Sequence, residues 1–198
     1  PMESDGSQNS KIIIEVFKEL IDKCPNAIKV IKSTVLPSIL EKLHKLDCNV
    51  IYNPEFLREK HAREDFMYSD CIILGGEKNL SAKVSKLYNA SSRCLTRKHI
   101  FTELKTASLI KYTINTFLAT KVIFFNEIFG VFENLNTDDS WELFHNAISC
   151  DKRIGDSHMQ IPGHDGKKGF GGACFPKDSR ALLKYAEENN IHLSVLES

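Results

Sequence analysis

Apolar and polar residues follow two alternating rhythms along the first hundred residues. Apolar positions spaced three and four apart predict three helices, at about 9–23, 38–46 and 80–91. Short runs rich in Ile and Val predict strands at 27–32, 48–52 and 71–74, with a short edge strand at 99–101. Strands that alternate with helices indicate a parallel sheet covered by helices, which is half of a doubly wound α/β fold.

The pattern changes after the last predicted strand. Apolar residues then recur at three and four over one long segment, which predicts a single helix from Glu103 to about Leu135. Since an average helix has about 12 residues, a helix of this length is expected to join or span domains. A shorter helix at 138–148, a loop rich in Gly, Pro and Asp at 151–178 and a final helix at 179–189 complete the prediction.

Composition and charge exclude several classes of protein. The 198 residues are 42% hydrophobic, which is enough apolar material for an ordinary core. Lys plus Arg and Asp plus Glu both number 26, so the chain lacks the basic excess that favours nucleic acid as a partner. The longest apolar runs, 12–14 and 122–125, are far shorter than the roughly 20 residues of a membrane span. We therefore expect no nucleic acid and no membrane partner.

The cysteines and the chain ends add two expectations. Six cysteines are scattered without CxxC spacing, which predicts reduced thiols in the cytosol, with neither a disulfide framework nor a metal site. There is no N-terminal signal-peptide pattern. The chain starts at Pro1 rather than Met and stops at Ser198 without a terminating signal.

The densest chemical signal is the segment GFGGACFPKD, residues 169–178. Its paired glycines let the backbone approach a ligand just before Cys174, and Pro176, Lys177 and Asp178 then open a helix. A thiol near a helix N-terminus and beside a lysine is favoured as thiolate, so Cys174 is a candidate nucleophile. The alternative interpretation is a small buried hydrophobic residue.

Lys111 and Asn115 form a second candidate pair. They lie four residues apart on the long predicted helix and flank its apolar stripe, so they point the same way. A partly desolvated ammonium can act as acid, base or oxyanion donor. A lysine that reaches from the helix edge into water is the alternative.

Polar residues after two predicted strands are further candidates. Glu55 and Glu59, four apart after Pro54, are suited to order water or accept a proton, or form only an exposed acidic first turn. Ser33 and Thr34 follow the strand at 27–32, where open parallel sheets place ligands. Residues of this type also cap helices without any other function.

Six motifs follow one another along the chain. They are KSTVLP at 32–37, YNPEFLRE at 52–59, DF at 65–66, LIKYTINTFLATKVIFFNE at 109–127, DKRIG at 151–155 and PGHDGKKGFGGACFPKD at 162–178. In this order they resemble the UDP-glucose/GDP-mannose dehydrogenase family, and the resemblance runs along the whole chain. It implies an NAD-dependent double oxidation, in which a sugar C6 alcohol becomes an aldehyde, then a cysteine thioester, then a carboxylate. The expected substrate is UDP-glucose and the product UDP-glucuronate.

The resemblance assigns the chemistry to matched residues. Cys174 matches the family's nucleophile, and Lys111 matches the lysine that stabilises the oxyanion, with Asn115 beside it. Asp178 matches the aspartate that works with them. These roles agree with the chemistry read from the residues, since the oxyanion of a thiohemiacetal needs a nearby cation in a water-poor site.

The resemblance also implies contacts to water, cofactor and substrate. Thr34 and Glu55 match residues that hold the water used in deprotonation and thioester hydrolysis. Glu59 and Lys177 match contacts to the nicotinamide end of NAD, and Thr34 is a further implied cofactor contact. Arg153 matches an arginine that reaches the substrate of a neighbouring subunit. The implied substrate contacts are Glu55, Phe56, Leu57, Lys111, Asn115, Arg153, Gly169, Phe170, Gly171, Gly172 and Cys174.

The family's domain plan implies how the chain is organised. Residues 1–102 correspond to the C-terminal half of an NAD-binding Rossmann-like domain with a parallel sheet. Residues 103–198 correspond to a connecting helix and an all-α central domain that dimerises or forms a higher homo-oligomer through that helix. No GxGxxG follows a predicted strand, and the paired Gly75 and Gly76 lack a third glycine. We therefore expect a slice of a longer enzyme that shows no turnover by itself.

Two alternatives stay open at this point. The sugar substrate is GDP-mannose or a UDP-N-acetylhexosamine in other members of the family, although the FPKD and PGHDG motifs favour UDP-glucose. In a different class of function, the chain is a non-catalytic remnant or oligomerisation module. Its Phe-rich helix face would then pair with another copy, although such a stripe is more often ordinary core.

Overall fold

The computed structural model describes residues 3, 5–163, 166–172 and 174–197, and for Glu59 it describes the backbone alone. The chain forms two compact units, Pro1–Thr113 and Ile114–Ser198. The first unit mixes helices and strands, and the described residues of the second unit contain helices and loops. This arrangement confirms the α/β class expected from the sequence.

Helices and strands alternate in the first unit. The strands are β1 (Lys29–Ile31), β2 (Val50–Tyr52), β3 (Ile72–Gly76) and β4 (His99–Thr102). The helices are α1 (Lys11–Lys23), α2 (Pro37–Leu46), α3 (Ala62–Met67) and α4 (Lys78–Ser91), with a 3-10 turn at Glu59–His61. Every strand that the sequence predicts is present, and the short α3 is an addition to the prediction.

The four strands form one sheet in the order β1-β2-β3-β4. The β1–β2 and β3–β4 pairs are parallel, as expected. The central β2–β3 pair is antiparallel, so the sheet is mixed. The connection from β2 to β3, which holds a 3-10 turn and the six-residue α3, leaves and rejoins the sheet at the same edge. A parallel return would need a crossover that carries the chain back along the sheet.

One core cluster fills the space between the sheet and α4. It joins strand residues such as Ile51 and Leu74, both fully buried, to Leu80 and Val84 of α4. Aliphatic side chains on the strands and on one face of the helix explain this packing, because both surfaces must be removed from water. The core holds the strand ends, and the loops that follow them, in place.

The paired glycines of β3 have a packing role. A Cβ on Gly75 would lie 2.5 Å from the Cβ of Ala107 and 2.9 Å from the carbonyl oxygen of Glu103. A Cβ on Gly76 would lie 2.6 Å from Cδ1 of Ile51, and Gly76 has a φ of +143°. These glycines therefore permit close contact of β3 with its neighbours, which explains a Gly-Gly pair outside a phosphate-binding fingerprint.

The second unit is built on helices. Helix α5 (Leu104–Glu133) begins in the first unit and continues into the second, and it is followed by α6 (Trp141–Ser149), α7 (Phe175–Glu188) and α8 (Ser194–Glu197). The predicted long helix is thus confirmed. The predicted start of the last long helix at residue 179 is wrong, because Pro176 is already within the first turn of α7. Its fixed φ suits that position.

An aromatic and aliphatic core holds the second unit together. Phe125 of α5 packs with Met159 and Ile161 of the following loop. The indole of Trp141 on α6 donates a hydrogen bond to the carbonyl of Met159 at 3.2 Å and meets Phe129 edge-on at 5.0 Å. Large side chains from α5 and α6 thereby hold in place the loop segment that contains Met159 and Ile161.

Helix α5 also has the length and composition of a membrane span. Among the described helices it alone has this length and apolar composition. Core helices of water-soluble proteins meet the same criteria. The polar side chains of Asn115 and Lys121 are buried on α5 and hydrogen-bonded within the protein, which favours a core helix.

A buried ion pair ties β1 to the end of α2. The ammonium of Lys29 lies 2.6 Å from the carboxylate of Asp47, and the two side chains are 3% and 11% exposed. Lys29 also donates to the carbonyl of Pro25, and Asp47 accepts from the backbone N–H of Asn49. The hydrogen bond from Lys29 holds the pKa of Asp47 below its ordinary value.

Replacing Asp47 by Asn tests this pair. The change leaves the buried ammonium of Lys29 without its counter-charge, so we expect the free energy of unfolding at pH 7 to fall by about 3 kcal/mol in urea titration. Because the pKa of Asp47 is lowered, the wild-type stabilisation is complete above the ordinary Asp pKa of about 4 and is lost as pH falls through the lowered value. Asp47→Asn should show a flatter acid limb, and identical acid limbs would contradict the assignment.

Candidate functional site

The carboxyl ends of β1 and β2 lie at one edge of the sheet, because these neighbouring strands are parallel. Thr34 follows β1 and Glu55 follows β2, each by three residues. The half-buried Thr34 is held through its carbonyl, which accepts a hydrogen bond from the side chain of Gln8 at 2.6 Å. Open α/β sheets bind ligands at this kind of edge.

Lys111 is joined to the segment that contains Glu55. Its side chain is buried, and its Nζ donates to the carbonyl oxygen of Glu55 at 2.5 Å. The same ammonium lies 5.0 Å from the ring centroid of Phe56, a cation–π distance. The interpretation of Lys111 as a lysine that reaches into water is therefore wrong. The structure brings Lys111, Glu55 and Phe56 together within the first unit.

The carboxylate of Glu55 is held by a lysine that the sequence analysis gave no role. The Nζ of Lys32, in the KSTVLP motif, lies 2.8 Å from Oε1 of Glu55. Burial disfavours the charge on Lys32, but hydrogen bonds to Glu55 and Tyr88 outweigh it, and the pKa of Lys32 is raised. Glu55 thus lies in a loop and an ion pair, so the exposed first turn of a helix is excluded for it.

Two of the motifs meet in space after β2. The carboxylate of Asp65, in the DF motif, accepts from the backbone N–H of Arg58 and from its guanidinium, both at 2.7 Å. These hydrogen bonds hold the pKa of Asp65 below its ordinary value. The clamp closes the YNPEFLRE loop, in which Leu57 is half-buried. The side chain of Glu59, predicted to contact NAD, lies outside the described part of the structure.

Cys174 lies at the start of α7 in the second unit. It is the N-cap residue of this helix of 14 residues, and its side chain is exposed. Its carbonyl accepts from the backbone N–H of Asp178 at 2.8 Å, which closes the first helical turn. The interpretation of Cys174 as a buried hydrophobic residue is wrong. The thiol is accessible at the N-terminal end of this helix.

Asp178 is buried one turn into α7, with 1% of its surface exposed. One carboxylate oxygen accepts from the side-chain amide of Asn115 at 2.6 Å, and the other pairs with the ammonium of Lys177. A buried carboxylate is stable only with such partners. The structure therefore brings together three of the predicted residues, Asn115, Lys177 and Asp178. The ammonium of Lys177 compensates the negative charge of Asp178.

The glycine loop, residues 169–172, is fastened to α5 at its first residue. The backbone N–H of Gly169 donates to Oδ1 of Asn126 at 2.8 Å, and the amide group of Asn126 donates to the carbonyl of Val122. Gly169 has a φ of +82°, which a residue with a side chain rarely adopts. Within the loop, Phe170 is half-buried, while Gly171 and Gly172 are exposed.

The DKRIG turn, residues 151–155, presents Arg153 to solvent. The guanidinium lies 2.5 Å from the carboxylate of Asp151, and its side chain is 89% exposed. Lys121 of α5 supports the turn by donating to the carbonyl of Ile154 at 2.9 Å. Burial lowers the pKa of Lys121. No predicted substrate or cofactor residue lies within hydrogen-bonding distance of Arg153 among the described contacts.

Three anchoring residues were missed in the sequence analysis: Lys32, Lys121 and Asn126. Asn126 had a readable signal, because it lies eleven residues after Asn115 and three helical turns place both on one face of α5. A polar residue on the apolar face of a long helix indicates a buried partner. Lys121 carried the same signal, because it falls among the apolar positions spaced three and four apart on the long helix. Lys32, at the end of a short predicted strand, carried no comparable signal.

Both halves of the chain match one protein family. Residues 1–92 match the UDP-glucose/GDP-mannose dehydrogenase family, NAD binding domain. Residues 105–198 match the central domain of the same family. The match to the NAD-binding domain comes first in the chain, and the match to the central domain follows it.

Individual relatives give the same result. A UDP-glucose 6-dehydrogenase of Rickettsia bellii is 35% identical over 207 aligned positions, which cover 100% of this chain and 46% of the relative. The structure of a UDP-glucose dehydrogenase from Pyrobaculum islandicum is 28% identical with a TM-score of 0.83, covering 100% of this chain and 46% of that one. A GDP-mannose dehydrogenase from Pseudomonas aeruginosa is 27% identical with a TM-score of 0.66, covering 100% and 47%. The chain thus spans a little under half of these relatives.

Replacing Asn126 by Ala tests the anchor of the glycine loop. The change removes the acceptor for the N–H of Gly169, a bond worth about 1 kcal/mol, so hydrogen exchange of the Gly169 amide should rise about fivefold. Asn134→Ala is the matched control, because the amide of Asn134 bonds to the carbonyl of Gly130 at the end of the same helix. Unchanged exchange at Gly169 in Asn126→Ala would show that the loop does not depend on this bond.

Proposed function

This chain belongs to the UDP-glucose/GDP-mannose dehydrogenase family, and we propose that the protein oxidises C6 of the glucose in UDP-glucose to the carboxylate of UDP-glucuronate. Curated relatives that align with the whole chain carry the corresponding name. Because the chain spans a little under half of their length, the activity is proposed for the whole protein, and we expect no turnover from the 198 residues alone. Residues 1–102 are assigned to the NAD-binding domain and 103–198 to the central domain, which the matched ranges support.

The observation that carries the proposal is the arrangement at the start of α7. An exposed thiol, Cys174, lies at the helix N-terminus one turn before the buried Asp178, to which Asn115 is hydrogen-bonded. The glycine loop that precedes the thiol is fastened to α5 through Asn126. An accessible sulfur beside a rigid, charge-compensated helix end suits a nucleophile that must meet a carbonyl carbon in one orientation.

Cys174 is proposed to form the covalent intermediate. Its sulfur adds to the aldehyde carbon, so that a C–S bond forms and the carbonyl electrons move onto oxygen. After oxidation to the thioester, water adds to the same carbon and the C–S bond breaks, which releases the carboxylate and restores the thiol. Splitting one difficult oxidation into an addition, an oxidation and a hydrolysis is the general advantage of covalent catalysis.

Lys111, Glu55 and Thr34 are proposed to stabilise charge and direct water. The ammonium of Lys111 is buried and supplies the positive charge that an oxyanion requires in a water-poor site. The carboxylate of Glu55 is part-exposed, so it can hold a water molecule for proton removal and thioester hydrolysis. Thr34 lies at the same edge of the sheet as Glu55.

The cofactor of the family is NAD, and the residues present fit its nicotinamide end. NAD, when bound, takes up the two electrons released in each oxidation. The adjacent carboxyl ends of the parallel strands β1 and β2 form the kind of edge at which nucleotides bind, and the half-buried Thr34 would contact the nicotinamide there. Glu59 and Lys177 are the other proposed contacts. The pyrophosphate fingerprint GxGxxG is not among the 198 residues.

Substrate contacts are proposed for the glycine loop and the DKRIG turn of the second unit. They are also proposed for the YNPEFLRE loop of the first unit. The exposed backbone of Gly171 and Gly172 can lie against the nucleotide sugar, since no side chain intervenes. Arg153 is presented to solvent and is proposed to reach the substrate of a neighbouring subunit. GDP-mannose is the competing substrate, because a GDP-mannose dehydrogenase has a similar structure at a TM-score of 0.66.

The protein is proposed to be a cytoplasmic homo-oligomer that pairs through α5. Phe117, Phe124 and Val131 recur every seven residues on this helix and are 64%, 52% and 61% exposed. A seven-residue spacing places them in one stripe, which suits the same stripe of a second copy. Burial of such large side chains on association is favoured by the hydrophobic effect.

Turnover by the whole protein tests the activity and the nucleophile. With NAD and UDP-glucose we expect NADH to form, measured at its absorbance near 340 nm, and Cys174→Ser to lower kcat by about a thousandfold or more. Cys150→Ser is the matched control, because Cys150 is also exposed and ends another helix of the same unit. Full activity of Cys174→Ser would remove the proposed nucleophile, and a preference for GDP-mannose would replace the proposed substrate.

A charge placed in the exposed stripe tests the oligomer. Phe117→Asp should convert the homo-oligomer into smaller species, because a carboxylate cannot be buried there without a partner. Light scattering coupled to size-exclusion chromatography gives the molecular mass. Leu143→Asp is the control, since Leu143 on α6 is 55% exposed and lies outside the stripe. An unchanged mass for Phe117→Asp would place the interface elsewhere.

A further inference from the structure

We propose that Lys32 is a positioning residue. It holds the carboxylate of Glu55 in the position from which Glu55 directs water in proton removal and thioester hydrolysis. This inference rests on the proposed function. The resemblance assigned a role to Thr34 of the KSTVLP motif. Lys32, the first residue of that motif, is the one whose side chain has several described partners. Lys32, Glu55 and their partners all lie in the first unit.

The ammonium of Lys32 meets three oxygen atoms. They are Oε1 of Glu55 at 2.8 Å, the hydroxyl of Tyr88 at 2.9 Å and Oδ1 of Asn53 at 3.2 Å. A lysine ammonium has three N–H donors, so these partners match its full donor capacity. Movement of the ammonium would break at least one bond, which keeps the oxygen of Glu55 in one position.

The partners of Lys32 are themselves tied to the sheet. Asn53 is buried, and its amide donates to the carbonyl of Ile73 in β3 at 2.9 Å. The hydroxyl of Tyr88, on α4, donates to Oδ1 of Asn53 at 2.5 Å. The rings of Phe66 and Tyr88 lie 5.9 and 5.6 Å from the ammonium, so the cation is also attracted by two aromatic faces. The partners of Lys32 are therefore anchored on β3, α3 and α4.

Glu55 is held at both its backbone and its side chain. Lys111 donates to its carbonyl oxygen, and Lys32 pairs with its carboxylate. The side chain of Glu55 is still 37% exposed, so water reaches the carboxylate. A general base must present its oxygen to the proton that it removes within a few tenths of an ångström, and a fixed carboxylate meets that need.

A double-mutant cycle on the whole protein tests the inference. The variants are Lys32→Met, Glu55→Gln and the pair, with kcat and KM measured for UDP-glucose and NAD. We expect Lys32→Met to lower kcat about tenfold or more while KM changes by less than about twofold, because geometry at the base is lost and binding is kept. In the Glu55→Gln background the same change should lower kcat by less than about twofold. Lys32→Arg should restore part of the loss.

Two further variants keep the test decisive. Lys29→Met removes another ion-paired lysine, which begins β1 three residues before Lys32, so it should lower the unfolding temperature, leave kcat unchanged and remain additive with Glu55→Gln. Tyr88→Phe removes one bond to the Lys32 ammonium and keeps the ring, and it serves if Lys32→Met does not fold. Its smaller loss of kcat should also vanish with Glu55→Gln.

The outcomes separate this inference from the proposed function. A wild-type enzyme that turns over UDP-glucose, with additive effects of Lys32→Met and Glu55→Gln, would overturn the role of Lys32 alone. A rise in KM without a fall in kcat would do the same, since it would indicate a binding role. A wild-type protein without any turnover would overturn the proposed function and this inference with it.

Discussion

A polar side chain buried on an apolar helix must have a hydrogen-bonding partner, and this constraint determines where the loops of the second unit lie. Asn115, Lys121 and Asn126 are polar positions on the long apolar α5. Asn115 holds the carboxylate of Asp178, Lys121 holds the DKRIG turn and Asn126 holds the glycine loop. An apolar residue at any of these positions could not form the corresponding hydrogen bond, so the attached segment would lose it.

The first unit uses ammonium groups in a similar way. Lys111 binds the carbonyl of Glu55, and Lys32 binds its carboxylate, so one loop residue is held from two directions. Lys29 forms a buried ion pair with Asp47 at the other end of β1. An unpaired ammonium would be strongly destabilising where it is buried, whereas a paired one keeps a compensating partner and restricts the loop. Loops held in this way at the strand ends suit the proposed site for a nucleotide sugar.

The chemical proposal depends on a difference between two environments. Cys174 is exposed at a helix N-terminus, and Asp178 one turn later is buried and charge-compensated. The thiol is thus available to a substrate, while the carboxylate is fixed in the protein. In the proposed reaction, Cys174 is the nucleophile and the buried ammonium of Lys111 is the source of positive charge. The proposed roles follow from burial and charge as well as from resemblance.

The sequence by itself determined the α/β class, the strand positions, the long helix and the family, because periodicity and ordered motifs are local properties of the chain. It also named Cys174, Lys111 and Asp178, since their residue types lie in readable motifs. Only the tertiary structure decided that β3 runs antiparallel to β2, that Gly75 serves packing and that Lys32 holds Glu55. Those facts depend on contacts between residues far apart in sequence, which arise when the core closes and buried polar groups must find partners.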